Sequence, residues 1–311
     1  FPGVELGNLN VFVGANGSGK SNLFEAARFL QEAQRNVRGF LTSSSEVKDW
    51  LWSDSRGWAN AAQVEVVVEG DVELSYQLGF GQSGNADVEF LIEVLEFARQ
   101  PADEKLFLRS GSTVANFFVQ RKFGRRVEKE PVGASNTVLD ALRHPTDESV
   151  MRSMRESLAS MSFFAEWGFG RRTNILRSTR ASATVQSYLL EDGSNAPLRF
   201  NTLLQQRGFR ERLLRHITTV MPNVDDALAE FVMGSTQIVF MESSRARRTP
   251  ASRLSDGTLH WLVLGLILLD EESHSPLFLD EPELGLHPDA IRSLGDLLRS
   301  ASTRRQIIVN T

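Results

Sequence analysis

The residues best suited to chemistry lie near the start of the chain, in segment 9–22, which reads L-N-V-F-V-G-A-N-G-S-G-K-S-N. From Gly14 to Ser21 they follow the spacing G-x-x-x-x-G-K-[ST] of a loop that binds nucleotide phosphates. Glycine permits positive φ angles and a close approach of the backbone to a ligand. Backbone N–H groups and the positive start of the next helix then face the phosphates. We expect Lys20 to reach the β and γ oxygens and the Ser21 hydroxyl to ligate Mg²⁺.

A second group of candidates follows an apolar segment in the sequence P-L-F-L-D-E-P-E, where Asp280 and Glu281 are adjacent. Ligands of open α/β sheets bind beyond the carboxyl ends of the strands, and both acids would lie there. Asp280 is suited to hold Mg²⁺ opposite Ser21, directly or through water. Glu281 is then placed to orient and deprotonate an attacking water. The alternative is that the two acids only cap the next turn.

A third candidate is the segment Ser255-Asp256-Gly257, which begins an apolar helix upstream of the Asp280 strand. A serine hydroxyl and the backbone N–H groups of a helix start form an anion site. An ordinary N-cap is the alternative, because serine is a preferred capping residue. The position of this segment before the acidic strand favours the anion site.

Periodicity predicts the elements that position these residues. Apolar residues indicate a short strand at Val4–Leu6, a strand at Val11–Val13 and a helix with an apolar stripe from Leu23 to Val37. In the tail, an apolar helix is followed by a strand at Leu277–Asp280, a helix at Pro288–Ser300 and a last strand. This alternation favours a parallel sheet.

Between these ends the pattern changes twice. From Gln63 onward apolar and polar residues alternate, which predicts an antiparallel β meander with one solvated face. Residues 137–230 have mainly helical spacing. The sequence therefore predicts an α/β fold with a mostly parallel core sheet, an antiparallel meander and a helical insertion.

Composition sets outer limits on the class of protein. The 311 residues are 41% hydrophobic and 23% charged, which is typical of a globular protein with a sizeable core. The longest apolar run, Trp261–Leu269, is far shorter than the ~18 residues of a membrane span, so we expect no membrane partner. No secretion signal is visible, and the absence of cysteine fits a cytoplasmic location. A net charge of −5 argues against a chain that coats nucleic acid over its whole surface.

Taken together, these motifs resemble the ABC-type ATPase heads of the SMC/RecF/OLD superfamily, and more closely the compact bacterial AAA_21-type ATPases. The resemblance rests on G-A-N-G-S-G-K-S-N, on L-S-D-G-T at 254–258 and on L-F-L-D-E-P-E, with further similarity in L-E-D-G-S-N (190–195) and E-P-E-L-G-L-H-P (281–288). It implies a P-loop NTPase fold in three parts. These are an N-terminal lobe with the Walker A motif and the meander (1–135), a mainly helical middle region (136–234) and a C-terminal lobe with the signature and Walker B (235–311).

The resemblance also assigns roles to residues. The ATP-binding Walker A segment would comprise Asn16, Gly17, Ser18, Gly19, Lys20, Ser21 and Asn22. Asp280 would be the Walker B aspartate that holds Mg²⁺ together with Ser21, and Glu281 and Lys20 would be the catalytic residues. Ser255, Asp256 and Gly257 would be the signature, which contacts the γ-phosphate held by a second subunit. His287 would lie near that interface, or would be an ordinary helix-start histidine. Such heads carry a switch histidine just after the last strand, beyond Thr311 in this numbering.

Two functions compete on this basis. The first is an ATP-hydrolysing switch that forms a head-to-tail homodimer around two ATP–Mg²⁺ complexes. It would control an effector such as a nuclease in DNA repair or in defence against foreign DNA. The second is a DNA-binding clamp whose grip is set by ATP, with slow hydrolysis. The clusters that favour DNA are Arg121-Lys122 with Arg125-Arg126, Arg171-Arg172 with Arg177 and Arg180, and Arg245 with Arg247-Arg248.

Overall fold

The structure is a computed structural model. It describes residues 3–15, 17–44, 50–51, 53–54, 57–58, 61–70, 72–82, 88–98, 105–111, 113–121, 124–141, 148–165, 179–180, 188–232, 234–242, 244 and 246–311. Contacts group the chain into two compact units, one formed by residues 1–21 and 162–311 and the other by residues 22–161. None of the helices in these ranges is both long and apolar enough to span a bilayer. The division into segments 1–135, 136–234 and 235–311 stays a prediction.

The strands of the described chain are β1 (Leu9–Phe12), β2 (Ser53–Asp54), β3 (Gly57–Trp58), β4 (Ala61–Val68), β5 (Leu74–Gln82), β6 (Val88–Phe97), β7 (Lys105–Ser110), β8 (Val114–Arg121), β9 (Gly124–Pro131), β10 (Ser162–Phe164), β11 (Thr179–Arg180), β12 (Asp226–Val232), β13 (Ser235–Glu242), β14 (Arg247–Pro250), β15 (Leu277–Asp280) and β16 (Ile307–Asn310). The helices are α1 (Lys20–Glu32), α2 (Val37–Ser44), α3 (Val138–Ala141), α4 (Glu148–Ser160), α5 (Ala196–Leu203), α6 (Phe209–Ile217), α7 (Asp256–Leu268) and α8 (Pro288–Ala301).

The core of the first unit is a parallel sheet in the order β1-β16-β15-β10. In its register Phe12, Asn310 and Asp280 lie side by side at the carboxyl ends of three neighbouring strands. Strand β16 therefore separates the strand before the glycine-rich loop from the strand before the acids. At about 4.8 Å per strand, Phe12 and Asp280 are roughly 10 Å apart across the sheet.

Helix α7 is buried over most of its length. Every residue from Leu259 to Leu268 is buried, as expected of a helix that is hydrophobic on all sides. The residues packed around it come from α5, α6, α8, the parallel sheet and a small antiparallel sheet of β11, β13, β12 and β14. The start of α7, at Ser255 and Asp256, is exposed. The burial of its body thus fixes the direction in which its first turn points.

The second unit contains the antiparallel meander, with strand order β4-β5-β6-β7-β8-β9. This confirms the meander predicted from the two-residue alternation. One face of the sheet carries buried side chains such as Tyr76, Phe80 and Phe107, which form a core with residues of α1, α2 and α4.

Two local predictions were wrong. Residues Val4–Leu6 form no strand, and the first strand spans Leu9–Phe12. The predicted helical stripe from Leu23 to Val37 belongs to two helices, because α1 ends at Glu32. The Asn36 side chain accepts a hydrogen bond from the Gly39 N–H at 3.0 Å and thereby caps the new helix. The apolar periodicity of the sequence continues across the break, but the backbone starts a second helix at the Asn36 cap.

Candidate active site

The glycine-rich loop belongs to the first unit and connects β1 to the start of α1. Gly17 has φ 79° and Gly19 has φ 89°, a region that favours glycine. The Ser18 N–H donates to the Ala15 carbonyl at 3.1 Å and closes a turn. Asn16, which belongs to the predicted Walker A segment, lies outside the described residues. The strand, turn and helix therefore follow in the order that the motif requires.

Lys20 lies inside this loop. Its Nζ donates to the carbonyls of Gly14 at 2.6 Å and Ala15 at 3.2 Å. A Cβ built on Gly14 would lie 2.8 Å from the Ser18 Oγ, whereas one on Gly17 would meet nothing within 4 Å. The loop is thus tightly packed at Gly14 and leaves free space at Gly17, and the Lys20 ammonium group lies against its carbonyls. This cradle fits an anionic phosphate chain.

The remaining loop residues face solvent. Ser18 and Ser21 are exposed, and so is Asn22, the third residue of α1. The hydroxyl of Ser21 and the carboxylate of Asp280 are hard oxygen ligands, the type that Mg²⁺ prefers. The residues present therefore fit a nucleotide with Mg²⁺.

Asp280 and Glu281 lie at the carboxyl end of β15, as predicted. Asp280 is half-buried and Glu281 is exposed. The backbone of Glu281 has φ 46°, a left-handed conformation that non-glycine residues rarely adopt and that costs of the order of 1–3 kcal/mol. Its N–H donates to the Asn310 carbonyl at 2.7 Å, and its carbonyl accepts from the Leu284 N–H at 3.0 Å. Such strain typically persists at functional sites because the surrounding structure holds it.

Asn310 belongs to none of the predicted motifs, yet it contacts the acidic pair directly. Its side chain is 3% exposed, and its Nδ2 donates to the Asp280 Oδ1 at 2.5 Å. Its Oδ1 is buried and finds no hydrogen-bond partner among the described residues, a state that costs about 1–3 kcal/mol if no water satisfies it. A polar residue directly after the apolar I-I-V segment was the available signal, the same signal that identified Asp280.

The tip of β16 also contacts the loop strand and the segment after Glu281. The Thr311 N–H donates to the Phe12 carbonyl at 3.0 Å, and the Thr311 hydroxyl donates to the Glu283 Oε1. The end of β16 thus connects β1 to the acidic end of β15.

Ser255 is the N-cap of α7. Its Oγ accepts a hydrogen bond from the Thr258 N–H at 3.3 Å and lies 2.8 Å from the Thr258 hydroxyl. The serine is therefore a cap, and its exposed side chain also lies at a helix start where N–H groups face solvent. These two roles are compatible, so the alternatives from the sequence do not exclude each other.

The start of α7 packs against the segment that follows Glu281. A Cβ on Gly257 would stand 2.5 Å from the Gly285 carbonyl oxygen. One turn later, the buried His260 donates its Nδ1–H to the Leu284 carbonyl at 2.9 Å. Burial lowers the pKa of His260 to about 4, which keeps the ring neutral at pH 7.

Helix α7 is also fixed by a reciprocal contact with α6. The His216 Nε2–H donates to the Trp261 carbonyl at 2.6 Å, and the Trp261 Nε1–H donates to the His216 carbonyl at 2.9 Å. The two rings stack with centroids 4.0 Å apart. Burial lowers the pKa of His216 to about 4. Both histidines are therefore neutral structural groups at pH 7.

His287 is the exposed N-cap of α8. Its Nδ1 accepts from the Asp289 N–H at 3.3 Å. This is the helix-start role; a role of His287 at an interface stays a prediction.

Of the basic clusters, the structure describes the side chains of Arg247 and Arg248 only. Arg248 pairs with Glu230, and the Arg247 Nε lies 3.9 Å from the Glu242 Oε1, so both cations face carboxylates of their own sheet. Lys122, Arg171, Arg172, Arg177 and Arg245 lie outside the described residues.

The profile of the AAA_21 family, described as "AAA domain, putative AbiEii toxin, Type IV TA system", matches residues 9–311. The chain belongs to the AAA_21 family. The matched range includes the glycine-rich loop, the start of α7 and the acidic end of β15. No curated protein matches this AAA_21 chain.

One solved structure with a similar fold is an SMC head. An SmcHead bound to the C-winged helix domain of ScpA has 13% sequence identity and a TM-score of 0.50, over 98% of the AAA_21 chain and 82% of that structure. The SMC head domain from Thermotoga maritima has 15% identity and a TM-score of 0.40, over 99% and 82%. An Smc head with an extended coiled coil, bound to the C-terminal domain of ScpA and derived from Pyrococcus furiosus, has 11% identity and a TM-score of 0.47, over 98% and 83%. The AAA_21 chain thus has the fold of an SMC head, as the motifs predicted.

Proposed function

We propose that this head binds and hydrolyses ATP and closes with a second copy around two ATP–Mg²⁺ complexes to control an effector. The observation that carries the proposal is the arrangement at the end of β15. An exposed glutamate in a strained left-handed conformation follows the metal-ligating candidate Asp280, on a strand that only β16 separates from the strand that enters the phosphate loop.

Each residue has a defined task in this proposal. Lys20 and the loop N–H groups bind the phosphates, and Ser21 and Asp280 hold Mg²⁺, which neutralises charge that develops on the β and γ oxygens. Glu281 accepts a proton from the attacking water, and its exposure leaves it accessible to that water.

The second copy contributes its signature segment to the site. Ser255 and the first turn of α7 are exposed and carry the partial positive charge of a helix start, which suits a γ-phosphate. In a symmetric head-to-tail dimer each copy offers its signature to the other copy's loop. The exposed Leu284, beside the Gly257–Gly285 contact, would then lie at the dimer interface.

The last part of the proposal concerns the effector and the cellular role of the protein. The family description names a toxin–antitoxin system, which favours a switch in defence against foreign DNA over a general structural role. We place the protein in the cytoplasm, with an effector such as a nuclease as the output. The DNA clamp receives less support, because Arg247 and Arg248 face carboxylates.

The test compares the wild type with Glu281→Gln and with Glu283→Gln, a change of the neighbouring carboxylate. With ATP and Mg²⁺, the wild type should release phosphate, and Glu281→Gln should release it about 10²–10⁴-fold more slowly. Light scattering should show Glu281→Gln accumulating at twice the mass of one chain. Wild-type turnover of Glu281→Gln, or a monomer under these conditions, would contradict the proposal. Glu283→Gln should retain most of the turnover.

A further inference from the structure

Asn310 connects the two acids of the candidate site through both its side chain and its backbone. It is the register partner of Asp280 on the neighbouring parallel strand, so the two side chains lie on the same face of the sheet. The Nδ2 of Asn310 donates to the Asp280 Oδ1 at 2.5 Å. Its backbone carbonyl accepts the Glu281 N–H at 2.7 Å, the bond that holds the left-handed residue against β16.

The chemistry of the pair determines the orientation of the amide. The amide nitrogen is the only donor of an asparagine side chain, so it is the group that faces the Asp280 oxygen. The Oδ1 of Asn310 is then directed away from Asp280. It is buried and has no protein donor in the described part of the chain.

We propose that Asn310 is a positioning residue of the nucleotide site. It fixes the rotamer of Asp280 for Mg²⁺, it holds the backbone of Glu281, and its Oδ1 accepts a hydrogen bond from a water of the nucleotide site. This inference rests on the proposed function. It adds a residue that none of the nucleotide-binding motifs in this chain contains.

Asparagine suits this position for a physical reason. Aspartate would place a second carboxylate against Asp280, and an apolar side chain would leave the Asp280 rotamer without its donor. Groups that orient a metal ligand through hydrogen bonds typically change metal affinity or activity by 10–100-fold when they are removed.

The test uses the whole chain and the variants Asn310→Ala and Asn310→Leu. Leucine has the same branching at Cγ as asparagine but no donor or acceptor, and it leaves no cavity, so it separates a lost hydrogen bond from a cavity. Asn195→Ala is the matched control. Asn195 is also buried in the same unit, but its Nδ2 and Oδ1 bind the backbone of Tyr188 and Leu190, at 2.8 and 2.9 Å.

The first readout is the affinity for Mn²⁺ in the presence of a non-hydrolysable ATP analogue, measured by electron paramagnetic resonance. The second is kcat and KM for ATP, and the third is Tm without ligand. In both Asn310 variants we expect the affinity for Mn²⁺ and the kcat for ATP to fall 10–100-fold, with a smaller change in KM. Asn195→Ala should lower Tm and leave Mn²⁺ affinity unchanged.

Two results would overturn the inference. One is wild-type Mn²⁺ affinity and kcat in Asn310→Leu; the other is an equal loss of Mn²⁺ affinity in Asn195→Ala at a similar drop in Tm. Failure of the wild type to hydrolyse ATP would instead contradict the proposed function. The Mn²⁺ comparison with the analogue would still decide the role of Asn310.

Discussion

The backbone of Gly257 lies directly against the carbonyl of Gly285, so close that a Cβ on Gly257 would stand 2.5 Å from the oxygen. The first turn of α7 and the segment that follows Glu281 are thus in backbone contact, reinforced by the bond from His260 to Leu284. A displacement of either segment must move the other, because close-packed backbone cannot be compressed. In the proposed dimer this contact links the catalytic base of one site to the signature offered to the other site.

Gly257→Ala should therefore displace the Gly285 segment. We expect a loss of about 1–3 kcal/mol in the free energy of unfolding and a larger loss of turnover than of nucleotide affinity. Gly295→Ala on α8 is the control, since its Cβ would meet only the Arg299 guanidinium at 3.9 Å and should stabilise the helix by ~0.5–1 kcal/mol. Thermal unfolding and phosphate release measure both variants. Equal changes in stability and in phosphate release in the two variants would show that the contact between Gly257 and Gly285 does not constrain either segment.

Lys20→Ala should weaken nucleotide binding about 100-fold, or ~2.7 kcal/mol. The cause is the loss of the charge-assisted contacts that the ammonium inside the loop makes with phosphate. Titration calorimetry with an ATP analogue measures the effect. Lys129→Ala, which changes an exposed lysine on β9, should bind as the wild type does. Retained affinity in Lys20→Ala would remove the assignment of the phosphate loop.

Ser255→Arg should leave nucleotide binding by the monomer intact and prevent turnover, because the arginine replaces the serine that each copy offers to the γ-phosphate of the other. Some loss of stability, about 1 kcal/mol, is expected from the lost cap. The sharper test mixes this variant with Glu281→Gln. A mixed dimer contains one site with an intact Glu281 and an intact Ser255, so the mixture should regain turnover. If the two residues act within one chain, no activity returns.

Glu93→Gln should change the pH dependence of stability in the second unit. Burial raises the pKa of Glu93 from 4.5 to about 7, although it accepts hydrogen bonds from the Val138 and Leu139 N–H groups and the Tyr76 hydroxyl. The folded state thus binds the proton more tightly than the unfolded state, so this group's contribution is full below pH 4.5 and falls as pH rises to 7.

Glutamine stays neutral and can still accept from the backbone. The difference in Tm between Glu93→Gln and the wild type should therefore grow from pH 5 to pH 8 in favour of the variant. A constant difference across this range would show that Glu93 does not titrate there.

The two buried histidines should produce the opposite dependence in the first unit. Both His216 and His260 have a pKa lowered to about 4 by burial, so their stabilisation is complete above pH 6.5 and is lost as pH falls towards 4. Each contributes roughly 3 kcal/mol at most.

His216→Gln and His260→Asn retain a donor near the position of the bonded ring nitrogen and remove the titration. We expect a shallower loss of stability between pH 6.5 and pH 4 in each, measured by chemical unfolding at several pH values. A loss as steep as in the wild type would exclude these histidines as its cause.

The local parts of this protein could be predicted from short segments of its sequence. The order of strand, glycine-rich loop and helix around Lys20, the apolar strand that ends in Asp280, and the meander from Gln63 onward depend on spacing within short segments. They could be predicted because glycine placement and periods of two are local properties of a backbone. Two predictions made from the pattern of apolar residues alone were wrong, namely the strand at Val4–Leu6 and a single helix up to Val37. The second did not take account of the Asn36 cap.

Which ends of these segments meet depends on long-range contacts in the folded chain. A period of two or an apolar run says that a strand forms, but not which strand it pairs with, because pairing is made by hydrogen bonds between distant parts of the chain. The order β1-β16-β15 places Asn310 between the phosphate loop and the acids. The close approach of Gly257 to Gly285 likewise depends on how a buried helix packs against a turn, and this packing cannot be predicted from the spacing of residues in either segment.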